Sequence, residues 1–300
     1  ASSRVQPRGG YVDFDHNVSL WSGALAYANY MHAFGPAAQR LKEESGIVSA
    51  NAGMIKAPFD ILCDKFRGFV NAAIDSLERP ETVRKACEAL IPHIVANALA
   101  GADPDKKVPI TIWAHRGCVP FISRHTFDTI MWPTLKPVFE EIIAKGYQIL
   151  FYGEGNWEAH YDTLCTLPAG SIIYHLDRGD PKLAARKFKD RFAISGGMRY
   201  DVLARGSQQD VRAHLDELFA VLKPGGGYIL DATALMLHDV KPENLRAAVD
   251  YTMEHGVYSQ SSPAPGRATV ASKEIPQGQR APNTVRPWDL EKQGYRQLAG

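Results

Sequence analysis

Residues 149–157 read ILFYGEGNW, an apolar run that stops at a glycine–acid–glycine tip. The same arrangement returns at 171–177 (SIIYHLD), 192–197 (FAISGG) and 227–233 (GYILDAT), and a stretch of helical character follows each one. Short strand, polar tip, helix, repeated, is how a parallel α/β barrel presents an active site at the C-terminal ends of its strands. Two earlier segments, 46–50 (GIVSA) and 108–114 (VPITIWA), also read as strands. The expected strands therefore lie near 48, 111, 149, 173, 193 and 229. A closed barrel of this type needs eight strands. The expectation is an α/β fold of (β/α)8 TIM-barrel type, with this chain supplying about six of the eight.

Leu20 to Leu41 is apolar and aromatic at helical spacing, and the sequence predicts a helix interrupted near Gly35 and Pro36. Pro58 and Pro80 each open a predicted helix, to about Leu77 and Ala100, because proline suits a first turn. Phe127 to Ala144 reads as helix with Pro133 and Pro137 as kinks, and the last helix runs from Pro242 to about His255. The glycine run 224–227 (PGGG) precedes a strand rather than joining strand to helix, so it reads as a helix stop and turn, not a phosphate cradle. The expected organisation is an N-terminal arm and helix (1–45), a barrel domain (46–257) and a Pro-rich tail (258–300). The tail is read either as disordered or as an arm anchored by Trp288 and Tyr295.

Composition narrows the function. The chain has 300 residues, 45% apolar and 22% charged, with a formal net charge of +1. That balance argues against a polyanion or a membrane surface as the main partner. No zinc knuckle, basic helix or aromatic ribonucleoprotein motif supports nucleic-acid binding. No apolar run approaches the length of a membrane span, and residues 1–7 (ASSRVQP) lack an apolar signal core. The cysteines, at 63, 87, 118 and 165, form no CxxC pair. A reduced, cytoplasmic setting is the expectation.

The strand tips collect the chemistry. His175 and Asp177 are two apart on a strand, so both side chains share one face. An imidazole and a carboxylate so placed are half of a site for zinc or a similar ion; alternatively, Asp177 caps the helix starting near Pro181. Glu154 lies between two glycines and reads as a ligand, a general acid–base or a solvent-facing turn residue. Asn156 and Trp157 read as substrate contacts or as helix-capping and packing residues. His115 and Arg116 end the strand near 111; the arginine either clamps a substrate anion or bridges neighbouring loops. Asp231 follows the last strand. Cys118 has no identifiable base and is discounted as a nucleophile.

Taken in order, APFD (57–60), residues 62–68, GEGNW (153–157), HLD (175–177), ISGG (194–197), GGYIL (226–230) and KPEN (241–244) resemble the uroporphyrinogen decarboxylase superfamily. Its members are (β/α)8 barrels and include cobalamin-dependent methyltransferases. The likeness begins at the third barrel strand, and the early arginine-rich motif of the true decarboxylases has no counterpart. It therefore implies a second chain that supplies the missing strands, a processed piece, or a homo-oligomer. Thiol-alkylating members hold zinc through His-x-Cys and a later cysteine. Here the first motif is His175-x-Asp177 and the later position falls near Ala234. The resemblance thus implies a member that moves methyl from an ether or amine to a corrinoid (cobalamin) carried by a partner protein. Glu154, His175 and Asp177 would hold zinc or another divalent metal, or position the substrate. Asp231 would support them, and His115, Arg116, Asn156 and Trp157 would contact substrate. The rival expectations are a decarboxylase-like lyase anchored by Arg116, and a non-catalytic subunit of a heteromeric complex.

Overall fold

A computed structural model describes residues 14–45, 49–233 and 238–258. The chain divides into units 1–258 and 259–300, and the described residues all belong to the first. The expected tail, apart from Tyr258, and the expected strand core at 46–48 lie outside the described residues.

Six strands form one parallel sheet in the order of the sequence: β1 (Met54–Lys56), β2 (Ile110–Ala114), β3 (Ile149–Asn156), β4 (Ile172–Arg178), β5 (Ala193–Met198) and β6 (Tyr228–Ala232). The first strand of the described residues lies at 54–56. The other five fall where expected. The sheet is six-eighths of a TIM barrel, with β1 and β6 as its edges.

Helices fill the connections: α1 (Phe14–Ser45), α2 (Pro58–Ile61), α3 (Phe69–Glu78), α4 (Pro80–Ala100), α5 (Arg124–Thr126), α6 (Trp132–Ala144), α7 (Tyr161–Leu164), α8 (Pro181–Phe188), α9 (Tyr200–Arg205), α10 (Gln208–Leu222) and α11 (Pro242–His255). Two corrections concern helix continuity. α1 runs unbroken through Pro36. The predicted helix from Pro58 to Leu77 is instead α2, a π-helical turn Leu62–Arg67, a break at Gly68, and α3. A second π-helical turn, Phe127–Met131, precedes α6. Gly225, Gly226 and Gly227 make the expected turn after α10, each at a φ near +80° that L side chains rarely adopt.

Alternation divides each strand. One set of side chains, including Ile112, Phe151, Tyr174 and Ile194, is buried against the helices. Phe151, Tyr174, Phe188 and Trp157 form a fully buried aromatic layer there, and each such side chain contributes roughly 1.5–3 kcal/mol. The other set lines the concave face, where Thr111, Ile173 and Ser195 are buried by their neighbours. At the edges that cover is missing: Met54 on β1 and Ile229 on β6 are half exposed. The free edge of β6 is partly answered within the chain. The Tyr258 hydroxyl accepts the Tyr228 N–H at 3.1 Å and donates to the Tyr228 carbonyl at 2.8 Å.

Candidate active site

Parallel register sets five side chains in a row across the concave face: Lys56, Trp113, Tyr152, His175 and Ser195, one from each of β1 to β5. The Trp113 ring meets Tyr152 edge-on at 5.7 Å, and Tyr152 stacks on His175 at 4.0 Å. Two residues further along their strands stand His115, Glu154 and Asp177. These three and Lys56, Trp113 and Arg116 help line a cavity of about 610 Å³ at the strand ends.

One wall is organised by two aspartates that precede the strand it serves. Asp60, on α2, is fully buried and accepts the backbone N–H groups of His115 and Arg116, each at 2.9 Å. Burial pushes its carboxyl up to about 7, although those two hydrogen bonds pull the other way. Asp64, one turn on, gathers three groups: Lys56 Nζ at 2.9 Å, His115 Nε2 at 2.8 Å and the Arg116 guanidinium at 3.0 Å. Burial alone would raise the Asp64 carboxyl, but hydrogen bonds from Lys56 and Arg116 outweigh it and hold it below the usual range. The Arg116 guanidinium also lies over the rings of Phe69 and Phe121, at 5.0 and 5.3 Å. Arg116 is thus committed to its own fold, the loop-bridging alternative, rather than presented as a free anion clamp.

The opposite wall is acidic. A bulge in β3 turns Glu154 toward the cavity. Gly155 permits it: its φ is +92°, and a Cβ there would lie 2.5 Å from Cys118 Sγ. Glu154 Oε2 accepts the Trp113 indole N–H at 2.7 Å, and Asp177 Oδ2 accepts the Gly155 N–H at 2.6 Å. Burial raises the Asp177 carboxyl above its ordinary range, against that hydrogen bond. The helix cap proposed for Asp177 belongs to Asp180, whose side chain accepts Lys182 N–H. Burial likewise depresses His175, so its imidazole is neutral at pH 7, although Asp231 nearby favours the charged form. His175 Nδ1 is 3.1 Å from Ser195 Oγ and 3.6 Å from Asp231 Oδ2, while its buried Nε2 has no partner. Burial raises the Tyr152 phenol, and the negative charges of Asp177, Asp231 and Glu154 raise it further.

Trp157 does not face this cavity. It is fully buried in the helix-side aromatic layer, with its indole N–H on the Glu154 carbonyl, so its role as a substrate contact is corrected to packing. Asn156 lines the cavity but exchanges hydrogen bonds with Glu158. Burial pushes the Cys118 thiol up to about 11, consistent with its dismissal as a nucleophile. The orphaned Nε2 of His175 suits a ligand. Yet one oxygen of Glu154 and one of Asp177 are already taken, and among the described residues no three His, Cys, Asp or Glu side chains gather as a metal site. The metal expected from His175-x-Asp177 does not fit this arrangement.

Reading the sequence alone does not single out Lys56, Asp60, Asp64, Trp113 and Tyr152 as residues that line or support the site. The available signal was the spacing of Asp60 and Asp64, four apart at a proline-opened helix, which puts both carboxylates on one face.

The sequence matches the family model described as Uroporphyrinogen decarboxylase (URO-D) over residues 25–255. No curated protein matches it. Among solved structures the fold is similar to a methyltransferase from Methanosarcina mazei, with 18% identity and a TM-score of 0.56 over 72% of this chain. This chain spans 62% of the length of that structure.

Proposed function

The chain belongs to the uroporphyrinogen decarboxylase family, and from that premise we propose that it is the substrate-binding barrel of a corrinoid-dependent methyltransferase acting on a methyl ether or methylamine. The observation that carries this reading is the pairing of the two walls. The basic groups Lys56 and Arg116 are bound to Asp64, whereas Glu154 and Asp177 each engage one carboxylate oxygen and leave the other open to the cavity. A decarboxylase site needs free cations for substrate carboxylates, and of the described cations lining the cavity only Arg178, exposed at its rim, stands outside these ion pairs. A demethylase site needs a group that can hand a proton to the departing oxygen or nitrogen.

Asp177 has the right character for that task. Its raised carboxyl retains a proton nearer neutrality than an exposed aspartate does. As the methyl–heteroatom bond breaks, the electron pair stays on the heteroatom and Asp177 protonates it, leaving an alcohol or amine and a carboxylate that solvent reprotonates. Glu154, fixed by the Trp113 indole, orients the donor. Neutral His175, fully buried and held by Ser195 and Asp231, backs the Tyr152 ring on which it stacks. The corrinoid supplies the nucleophile that accepts the methyl group. The half-exposed Val119 and Phe121 beside the cavity suit the apolar face of such a macrocycle and the protein that carries it. The open edges of β1 and β6 call for a second chain that contributes strands.

The test is anaerobic incubation of the protein with reduced cobalamin and a series of methyl ethers and methylamines, following methyl–cobalt formation by absorbance. Methylation from one donor class, lost in Asp177→Asn, supports the proposal. Release of carbon dioxide from a carboxylated substrate without corrinoid, and no methylation from any donor, overturns it.

A further inference from the structure

A groove of about 840 Å³ runs along the outer edge of β1. In a parallel pair, alternate residues of a strand bond to the same neighbour. The Gly53 carbonyl accepts the Thr111 N–H at 2.9 Å, and the Ala57 N–H donates to the Trp113 carbonyl at 3.4 Å, so both of these residues serve β2. Met54 and Lys56 are out of step with them and present their own N–H and C=O groups on the other side. Among the described residues no strand pairs with that side. Such an edge is a template for one more strand.

The side chains along the groove are of three kinds. Ile55, with Leu90 and Ile94 of α4, forms an apolar wall, and Ile55 and Ile94 are only 5% exposed. Lys65, His93 and Asn97 stand exposed at its border, and their side chains make no hydrogen bond or ion pair within the described residues. Lys56 and Trp113 complete it, and both also line the active-site cavity. Lys56 is already bound to Asp64. No described carboxylate lines the groove, so Lys65 is a cation without a counter-charge.

We propose that this groove receives an extended segment of a different polypeptide, which adds to β1 as a strand and brings a carboxylate to Lys65. The proposal gives a chemical character to the strand-bearing chain inferred above and rests on that part of the reading alone. The backbone sets the form of the segment. The groups of Met54 and Lys56 recur every second residue, a repeat that only an extended chain matches. The wall sets one face. Side chains turned toward α4 meet Ile55, Leu90 and Ile94, and are apolar. The other face turns toward Lys56 and Trp113, so the segment also closes the side of the active-site cavity that these two residues share.

Charge sets the remainder and rules out self-pairing. Two copies joined edge to edge through β1 present the same groove to each other. Lys65 of both copies would then share one interface with no acid between them, and like charges facing each other destabilise a strand pair. An acidic segment supplies what the groove lacks.

The test uses the full chain and two short fluorescein-labelled peptides. Both alternate threonine and valine; one ends in two aspartates and its twin in two lysines. Fluorescence anisotropy gives the affinities, and amide hydrogen exchange locates the contact. The acidic peptide is expected to bind ~10-fold more tightly than its twin and to slow exchange at Met54 and Lys56. Lys65→Glu, a change at an exposed side chain, is expected to reverse the preference while the circular dichroism spectrum is retained. No binding of the acidic peptide, equal binding of the two peptides, a preference indifferent to Lys65→Glu, or protection at Tyr228 in place of Met54 overturns the proposal. Binding is read without methyl transfer, so the function proposed above can fail while this inference stands, and the reverse.

Discussion

Asp60 accepts the backbone N–H of His115 at 2.9 Å from a position of complete burial, so a residue of α2 fixes the end of β2. With Arg116 N–H as its second donor, this carboxylate determines where the cavity's basic wall begins. The contact joins residues 55 apart in sequence, and a change at Asp60 is felt in the active site.

That contact has a pH signature. Asp60 carries a folded-state value of about 7 against an ordinary 3.8, so the folded protein binds a proton more readily than the unfolded chain between those limits. Its contribution to stability is therefore fully present below pH 3.8 and is lost as pH rises through 7. Asp60→Asn is expected to remove that downward slope from urea-unfolding free energies measured between pH 5 and 8. Because the amide cannot accept both N–H groups equally, it should also cost ~1–3 kcal/mol at pH 5. An unchanged slope in the variant means Asp60 does not titrate in this window.

Asp177 predicts a rate profile. In the proposed methyl transfer its carboxyl, raised by burial, acts in the protonated form, so kcat should fall as pH rises through its value. Asp177→Asn should lower kcat by about 10²–10⁴-fold and flatten that limb, with KM little changed. A variant whose kcat keeps the same pH dependence assigns the proton to another group.

Gly155→Ala is expected to destabilise the protein and impair the site together. The new methyl would be set 2.5 Å from Cys118 Sγ, on a backbone at φ +92°, and the Gly155 N–H that holds Asp177 would move. The strain alone is worth roughly 1–3 kcal/mol in thermal unfolding. Full activity with unaltered melting would mean the bulge is free to relax.

How far the sequence alone carries the fold depends on where each residue finds its partners. β3 to β6 are legible because an apolar run and a polar tip are both local. β1 is not: with one covered side, MIK shows too little apolar pattern to be read as a strand. Glu154, His175 and Asp177 are recognisable by type and spacing. Their company is not, because Trp113 reaches Glu154 across 41 positions and Asp64 reaches Arg116 across 52. Trp157 misleads for the same reason: beside a polar tip it looks like a ligand contact, yet it turns to the helix layer.

The hydroxyl of Tyr258 on Tyr228 bears finally on the kinetics of assembly. A strand joining at β6 competes for the same N–H and carbonyl, so the ring must first swing away, a unimolecular step. Capture at that edge should then reach a limiting rate as the incoming chain is made more concentrated. Among the described residues no side chain hydrogen-bonds the outer edge of β1, so capture there should remain second order, and a chain contributing strands to both edges docks at β1 first and zips to β6 afterwards.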